Sequence, residues 1–190
     1  MPSPRLTAER EGRRPAEFPT AGAVMARAGG ENFAVAALFL PRRLRRHLRA
    51  IYGFARLVDQ LGDEAPGDRR ALLDELERDV DRVYAGDPHH AVLRPLVATV
   101  RECGIPREPF HALIAANRQD QEVSRYPTYA DLEGYCALSA NPVGHFVLYV
   151  LGAWNSERVA LSDRICTALQ LAEHWQDVAE DYARGRIYLP

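Results

Sequence analysis

Two pairs of aspartates, each spaced by four residues, constrain this chain more than any other feature in it. Asp59 and Asp63 form the first pair and Asp177 and Asp181 the second, with Glu173 four residues before Asp177. On an α-helix, residues four apart share a face, so these carboxylates stack one turn above another. Stacked like charges repel, and a helix that carries them loses stability unless a cation offsets the repulsion. The first pair ends the stretch PRRLRRHLRAIYGFARLVDQLGDE, residues 41–64. Stepping back by helical turns, Tyr52, Arg56, Asp59 and Asp63 make one stripe. Leu44, Leu48, Ile51, Ala55 and Val58 make the apolar stripe beside it. The acidic line therefore borders the core-facing side, where it can flank an internal cavity. The second pair lies in QLAEHWQDVAEDYARGRIYLP, residues 170–190, which turns at Gly185, a residue suited to ending a helix.

The rest of the chain reads as helix after helix. Residues 1–30, rich in Arg, Pro, Gly and Ala without periodicity, are expected to form a disordered leader. Residues 31–190 then form one domain. Pro41 suits the first position of the helix running to Glu64. Residues 69–84 turn Leu72, Leu73, Leu76, Val80 and Val83 inward, and a further helix covers 91–103. Pro109 opens a helix to about Ser124, with Phe110, Leu113 and Ile114 inward and Asn117 and Asp120 on an adjoining line. Thr128 and Asp131 have the spacing of a capping box. The helix they start meets a kink at Asn141-Pro142, where proline removes a backbone hydrogen bond. Ser156 caps a last helix running to about Ala183. No strand signal interrupts this series, so the class is all-α.

Composition narrows the chemistry. A net charge of -2 gives no basic footprint for nucleic acid. All 24 basic residues are arginine, which excludes a Schiff-base or phosphate-loop lysine. Three separated cysteines, Cys103, Cys136 and Cys166, read as reduced, buried residues of a cytoplasmic protein. No apolar run is long enough to span a bilayer.

A single D-x-x-x-D is most simply a solvated helix face. Two such pairs on apolar-flanked helices, one with Arg56 on its line, point to metal-assisted phosphate chemistry. Mg²⁺ favours one or two carboxylates plus water and phosphate oxygens, so two acidic walls could hold ions around a diphosphate while Arg56 grips a phosphate with paired donors. A di-iron carboxylate bundle is the rival, but it needs two Glu-x-x-His units. The chain has one, Glu108 to His111, at a helix start where an acid is ordinary. His174 reads as packing or surface, and Trp154 and Trp175 as core.

These residues carry a family resemblance. ENFAVA, LPRRLR, IYGFARLVDQLGDE, QDQEVSRYPTYADLEGYC, SANPVG and ICTALQLAEHWQDVAEDYARGRIYLP resemble the landmarks of the squalene/phytoene synthases, the head-to-head prenyl synthases, and among them the hydroxysqualene-forming subgroup of hopanoid synthesis. The resemblance runs from about Glu31 to Pro190 and is most specific in the last block. It implies an isoprenoid synthase helical bundle around a central cavity. Asp59, Asp63, Asp177 and Asp181 match the two aspartate-rich motifs, with Glu173 joining the metal wall. Tyr52, Arg56 and Gln170 match diphosphate-side residues, Asn141 is added to the substrate-binding side, and Tyr135 matches a cavity tyrosine near the reacting carbons. The implied cofactor is Mg²⁺ bound with the substrate diphosphate, and no nicotinamide is expected. The implied reaction takes presqualene diphosphate to hydroxysqualene. Partner enzymes of squalene synthesis and a peripheral membrane contact are further implications, as is a cytoplasmic location.

Three departures qualify the match. Gln60 follows Asp59 where a second acid is common, and Glu173 stands where the family usually has Asn. The family also continues for roughly another third of a domain, so residues 31–190 are expected to be the N-terminal two-thirds of such a domain, C-terminally truncated and inactive alone. Three functions follow as alternatives: a hydroxysqualene-type synthase, a phytoene or presqualene diphosphate synthase, or an inactive remnant that acts as an interaction module.

Overall fold

The computed structural model describes residues 18–26 and 40–190. Nine α-helices account for most of them: α1 (Ala21–Ala26), α2 (Arg42–Asp59), α3 (Arg69–Ala85), α4 (Arg94–Cys103), α5 (Glu108–Gln119), α6 (Tyr129–Ser139), α7 (Asn141–Val150), α8 (Ser156–Gln176) and α9 (Val178–Ala183). A π-helical turn, Gln60–Glu64, extends α2, and a 3₁₀ turn, Ala91–Leu93, precedes α4. Extended pairing among the described residues is limited to one parallel bridge, Arg125 to Ile187. The all-α expectation holds.

Helix α2 is the spine. Leu48, Ile51 and Val58 of its apolar stripe are buried, and Phe54 and Leu57 beside them are fully out of solvent. Phe54, Phe110 and Phe146 form a chain of ring contacts at 5.0 and 4.6 Å that joins α2 to α5 and α7. Truncating such a buried phenylalanine to alanine costs about 3–5 kcal/mol. Helix α3 starts where the Asp68 carboxylate accepts from Ala71 N–H at 3.0 Å and stops at Gly86, whose φ of 90° suits glycine. The capping box at α6 forms as its spacing requires, with Thr128 Oγ1 accepting from Asp131 N–H at 3.2 Å and the Asp131 carboxylate accepting from Thr128 N–H at 3.1 Å.

Several boundaries differ from the sequence reading. Within the expected leader, residues 18–26 are ordered against the core: Val24 is buried, Phe18 and Ala21 pack beside it, and His90 Nε2 lies 2.8 Å from the Pro19 carbonyl. Residues 1–17 and 27–39 lie outside the described residues. Helix α5 ends at Gln119 rather than near Ser124. The proline kink is a full break at Ala140, because Pro142 has no N–H to continue the ladder. The last helix also breaks, at Asp177, whose φ of -97° and ψ of 8° leave the helical region. Its cap is Asn155, which accepts from Arg158 N–H at 2.8 Å, not Ser156. Trp154 and Trp175 are not core residues: they are 50% and 62% exposed. Only Cys136 of the three free cysteines is fully buried.

Candidate active site

The acidic residues of α2 and of α8–α9 face a common space. A cavity of about 280 Å³ is lined by Asp59 and Asp63 on one wall and by Gln170, Glu173, Asp177 and Asp181 on another. Tyr135 and Ser139 from α6, Asn117 of α5, Asp120 just past its end, and His174, Arg186 and Tyr188 complete its polar surface. A larger cavity of about 640 Å³ lies elsewhere, between α1 and the start of α2. It is rimmed by Arg42, Arg45, Arg46 and Arg49 and has no carboxylate among its described lining residues, so the chemistry legible in the acidic pairs belongs to the smaller one.

Local backbone geometry shapes each wall. The π turn carries Asp63, and Ala65 N–H closes it on the Gln60 carbonyl at 2.9 Å. Such turns widen the helix locally and recur at functional sites. Gly62 makes the close approach of α5 feasible: a Cβ there would lie 2.0 Å from Asn117 Oδ1. Gln121 Nε2 donates to the Gly62 carbonyl at 2.9 Å and fixes the turn from the other side. On the second wall the break at Asp177 is shallow. Asp177 N–H still donates to the Glu173 carbonyl, and Asp181 N–H to the Asp177 carbonyl, both at 2.9 Å. Glu173, Asp177 and Asp181 thus stay in register across the bend.

Charge in this cavity is unbalanced. Among the described lining residues are six carboxylates, Asp59, Asp63, Asp120, Glu173, Asp177 and Asp181, against one guanidinium, Arg186. Arg186 reaches Asp63 at 3.4 Å, and Arg56 reaches Asp59 at 3.5 Å from outside the lining. Both separations are long for a hydrogen bond. No group of three or more His, Cys, Asp or Glu converges on one metal position among the described residues. The donor set still fits Mg²⁺, which takes one or two carboxylates and completes its shell with water and phosphate oxygens.

An aromatic network forms the floor. Tyr135 Oη donates to Asp120 Oδ2 at 2.8 Å, and Tyr188 Oη lies 3.4 Å from Asp120 Oδ1. The His174 ring stacks on Tyr188 at 4.0 Å between centroids, and Tyr126 packs on both tyrosines. Burial pushes the Asp120 carboxyl up, although its two tyrosine hydrogen bonds and Arg186 oppose the shift. Burial also raises the Tyr135 phenol, with Asp120 adding to it, and raises Tyr188 to about 12. Both phenols therefore keep their protons and act as donors. Burial lowers His174 against the pull of Asp181 and Asp177, so a neutral ring is favoured. Arg186 loses solvation by burial, yet Tyr188, Asp120 and Asp63 raise its pKa.

Of the residues singled out from sequence, Asp59, Asp63, Tyr135, Gln170, Glu173, Asp177 and Asp181 share the cavity. Arg56 stands beside it through Asp59, and Tyr52 is half-buried one turn earlier on α2. Asn141 does not line it: its Oδ1 accepts from Thr167 Oγ1 at 3.1 Å, tying α7 to α8. Sequence reasoning missed Asp120, Ser139, His174, Arg186 and Tyr188 as wall residues. The two in the tail had a usable signal. Ile187 N–H bonds the Ser124 carbonyl at 2.8 Å, so the tail is extended there, and alternate residues of extended chain point to one side.

Comparison with known proteins gives concordant findings. The squalene/phytoene synthase family matches residues 26–190. A crystal structure of squalene synthase HpnC from Alicyclobacillus acidocaldarius is 49% identical, with a TM-score of 0.84 over 87% of this chain and 63% of that one. A hydroxysqualene synthase of Zymomonas mobilis is 35% identical over 84% of this chain and 54% of its own length. A 15-cis-phytoene synthase of Synechocystis sp. is 34% identical over 84% of this chain and 52% of its own. The chain spans about half the length of the curated relatives it matches. No helix among the described residues is long and apolar enough to cross a membrane.

Proposed function

Because this chain belongs to the squalene/phytoene synthase family, we propose that it contributes the catalytic cavity for head-to-head prenyl chemistry on a prenyl diphosphate, and specifically for conversion of presqualene diphosphate to hydroxysqualene. The observation that carries this reading is the meeting of both acidic pairs in one cavity over a floor of buried tyrosines. The finer assignment to hydroxysqualene is supported by the 35% identity to the hydroxysqualene synthase of Zymomonas mobilis, beside the 49% identity to a squalene synthase.

In this mechanism Arg56 and Arg186 bind the diphosphate beside the carboxylates, and Gln170 orients it by hydrogen bonding. Asp59, Asp63, Glu173, Asp177 and Asp181 would hold Mg²⁺, which when bound supplies Lewis acidity to the diphosphate leaving group. The C–O bond breaks, the diphosphate departs with the electron pair, and the cyclopropylcarbinyl cation rearranges. Tyr135 and Tyr188 present aromatic faces that stabilise positive charge by their quadrupoles. Water then adds to the cation and loses a proton, giving the alcohol. No reductant is consumed.

The deciding experiment supplies the full chain with Mg²⁺ and either presqualene diphosphate, farnesyl diphosphate or geranylgeranyl diphosphate. Hydroxysqualene formed from presqualene diphosphate without nicotinamide is the expected product. Phytoene from geranylgeranyl diphosphate, or presqualene diphosphate as an end product, would replace this reading with the corresponding synthase. No turnover of any substrate would favour an interaction role.

A further inference from the structure

The hydroxyl of Ser139 is an unexplained buried polar group. Its Oγ is out of solvent and has no hydrogen-bond partner among the described residues. A serine inside a helix can satisfy itself on the carbonyl four residues back, but this one does not. Ser139 instead lines the acidic cavity. It is the last residue of α6, one turn after Tyr135, so the two share a helix face. An orphaned buried hydroxyl is costly, and an ordered water is its usual partner where the site is polar and roomy. The 280 Å³ cavity is both.

Tyr135 adds the second half of a water site. Its proton is committed to Asp120 Oδ2 at 2.8 Å, which leaves the phenol oxygen as an acceptor. Asp120 receives a second phenol, Tyr188, at 3.4 Å. Among the described residues no arginine hydrogen-bonds Asp120; Arg186 is instead paired with Asp63 at 3.4 Å. The carboxylate thus sits behind Tyr135 as a buried base with one short, aligned donor.

Resting on the hydroxysqualene reading above, we propose that Ser139 and Tyr135 hold the water that captures the carbocation, and that Asp120 accepts its proton through Tyr135. The water oxygen forms the new C–O bond with its lone pair. One water proton passes to Tyr135 Oη as the phenol's own proton passes to Asp120 Oδ2. The products are the alcohol, a neutral phenol and a carboxylic acid, and Asp120 returns the proton to solvent or to the departing diphosphate when the cavity opens. Burial of Asp120 favours its protonated form, which eases that uptake. The reacting cation meets one water held in place, while Leu113 and Ala116 keep that side of the cavity apolar.

The test compares the wild-type full chain with Ser139→Ala, Ser139→Thr and Asp120→Asn. Each is given presqualene diphosphate and Mg²⁺ in ¹⁸O-water, and diphosphate release is followed alongside the labelled alcohol. In Ser139→Ala and Asp120→Asn the alcohol share of the products formed should fall roughly tenfold in favour of alkenes formed by proton loss, whatever the total diphosphate released. Ser139→Thr should restore the alcohol share. A merely structural role would lower both readouts together. An unchanged alcohol share in both variants overturns the proposal. A second arm is a crystal structure of the wild-type protein: a water bonded to Ser139 Oγ supports the site, and an empty Ser139 environment overturns it whatever the product. If wild type makes no alcohol, the hydroxysqualene reading and the proton-accepting role of Asp120 both fall, and the crystallographic water alone decides the Ser139 site.

Discussion

Asp59 and Asp177 are the residues whose loss should separate chemistry from folding most cleanly. Each lines the acidic cavity, and each is relieved of repulsion when its charge is removed. Asp59→Asn or Asp177→Asn should therefore leave the melting temperature unchanged or raised and, on the proposed function, lower turnover by about 10²-fold or more, as loss of a carboxylate that would hold the metal does. Near-normal steady-state rates would remove these residues from the reaction. Glu173 stands one turn before Asp177 on the same wall. Its replacement by Asn should weaken Mg²⁺ binding about tenfold, or roughly 1.4 kcal/mol, by calorimetric titration. Equal affinities would mean that Glu173 does not reach the ion. Asp120 gives a pH-dependent case. Its folded-state pKa is raised by burial, so its contribution to stability is fully present below the unfolded value of 3.8 and is lost as pH rises through the folded value. Asp120→Asn should melt higher than wild type at pH 7, with the gap closing as the pH falls toward 4. A variant that melts lower at pH 7 would show that the two tyrosine hydrogen bonds outweigh the buried charge.

At the scale of elements, periodicity located the helices but not their breaks. The stripe of Leu48, Ile51 and Val58 on α2 is buried as its spacing requires, because one apolar face must find a partner whatever the tertiary details. The acidic line beside it was legible for the same reason. The π turn at Gln60–Glu64 was not, since it meets Asn117 of α5 and Gln121 just beyond that helix, residues far away in sequence. Asp120 was assigned to a line next to the core without its role, because the role exists only where α6 brings Tyr135 to it. Exposure of Trp175 was misjudged from hydrophobicity alone, which says what a side chain prefers and not whether a neighbour is there. The π turn itself is testable. A methyl group at Gly62 would lie 2.0, 2.9 and 3.2 Å from three Asn117 atoms, so more than the flexible end of that side chain must move. Gly62→Ala should cost about 1–3 kcal/mol in chemical denaturation and reduce turnover with it, since Asp63 follows directly. Wild-type stability would mean that Asn117 turns aside freely and that the close approach is incidental.

Across the whole molecule, burial is uneven. The α2-centred core is closed, whereas α7, α8 and α9 carry a run of exposed apolar side chains. Leu161 is 52% exposed, Ile165 61%, Leu169 61%, Trp175 62% and Tyr182 72%, with Val147, Leu151 and Trp154 also open. Scattered surface apolar residues are ordinary, but a contiguous patch beyond a few hundred Å² is not. At ~25 cal/mol per Å², several hundred Å² left in water forfeits on the order of 10 kcal/mol. That is comparable to the whole stability of a typical domain, about 5–15 kcal/mol. The 190-residue polypeptide on its own should therefore bind hydrophobic dyes, elute above monomer size on size exclusion and melt with poor cooperativity. Replacing Ile165 and Leu169 by Gln offers an independent check. These side chains are more than half exposed, so the change should improve monomer yield without lowering the melting temperature. A loss of stability on that replacement would show that the face is already packed, and a cooperatively melting wild-type monomer that binds no hydrophobic dye would show that the α7–α9 surface needs no cover.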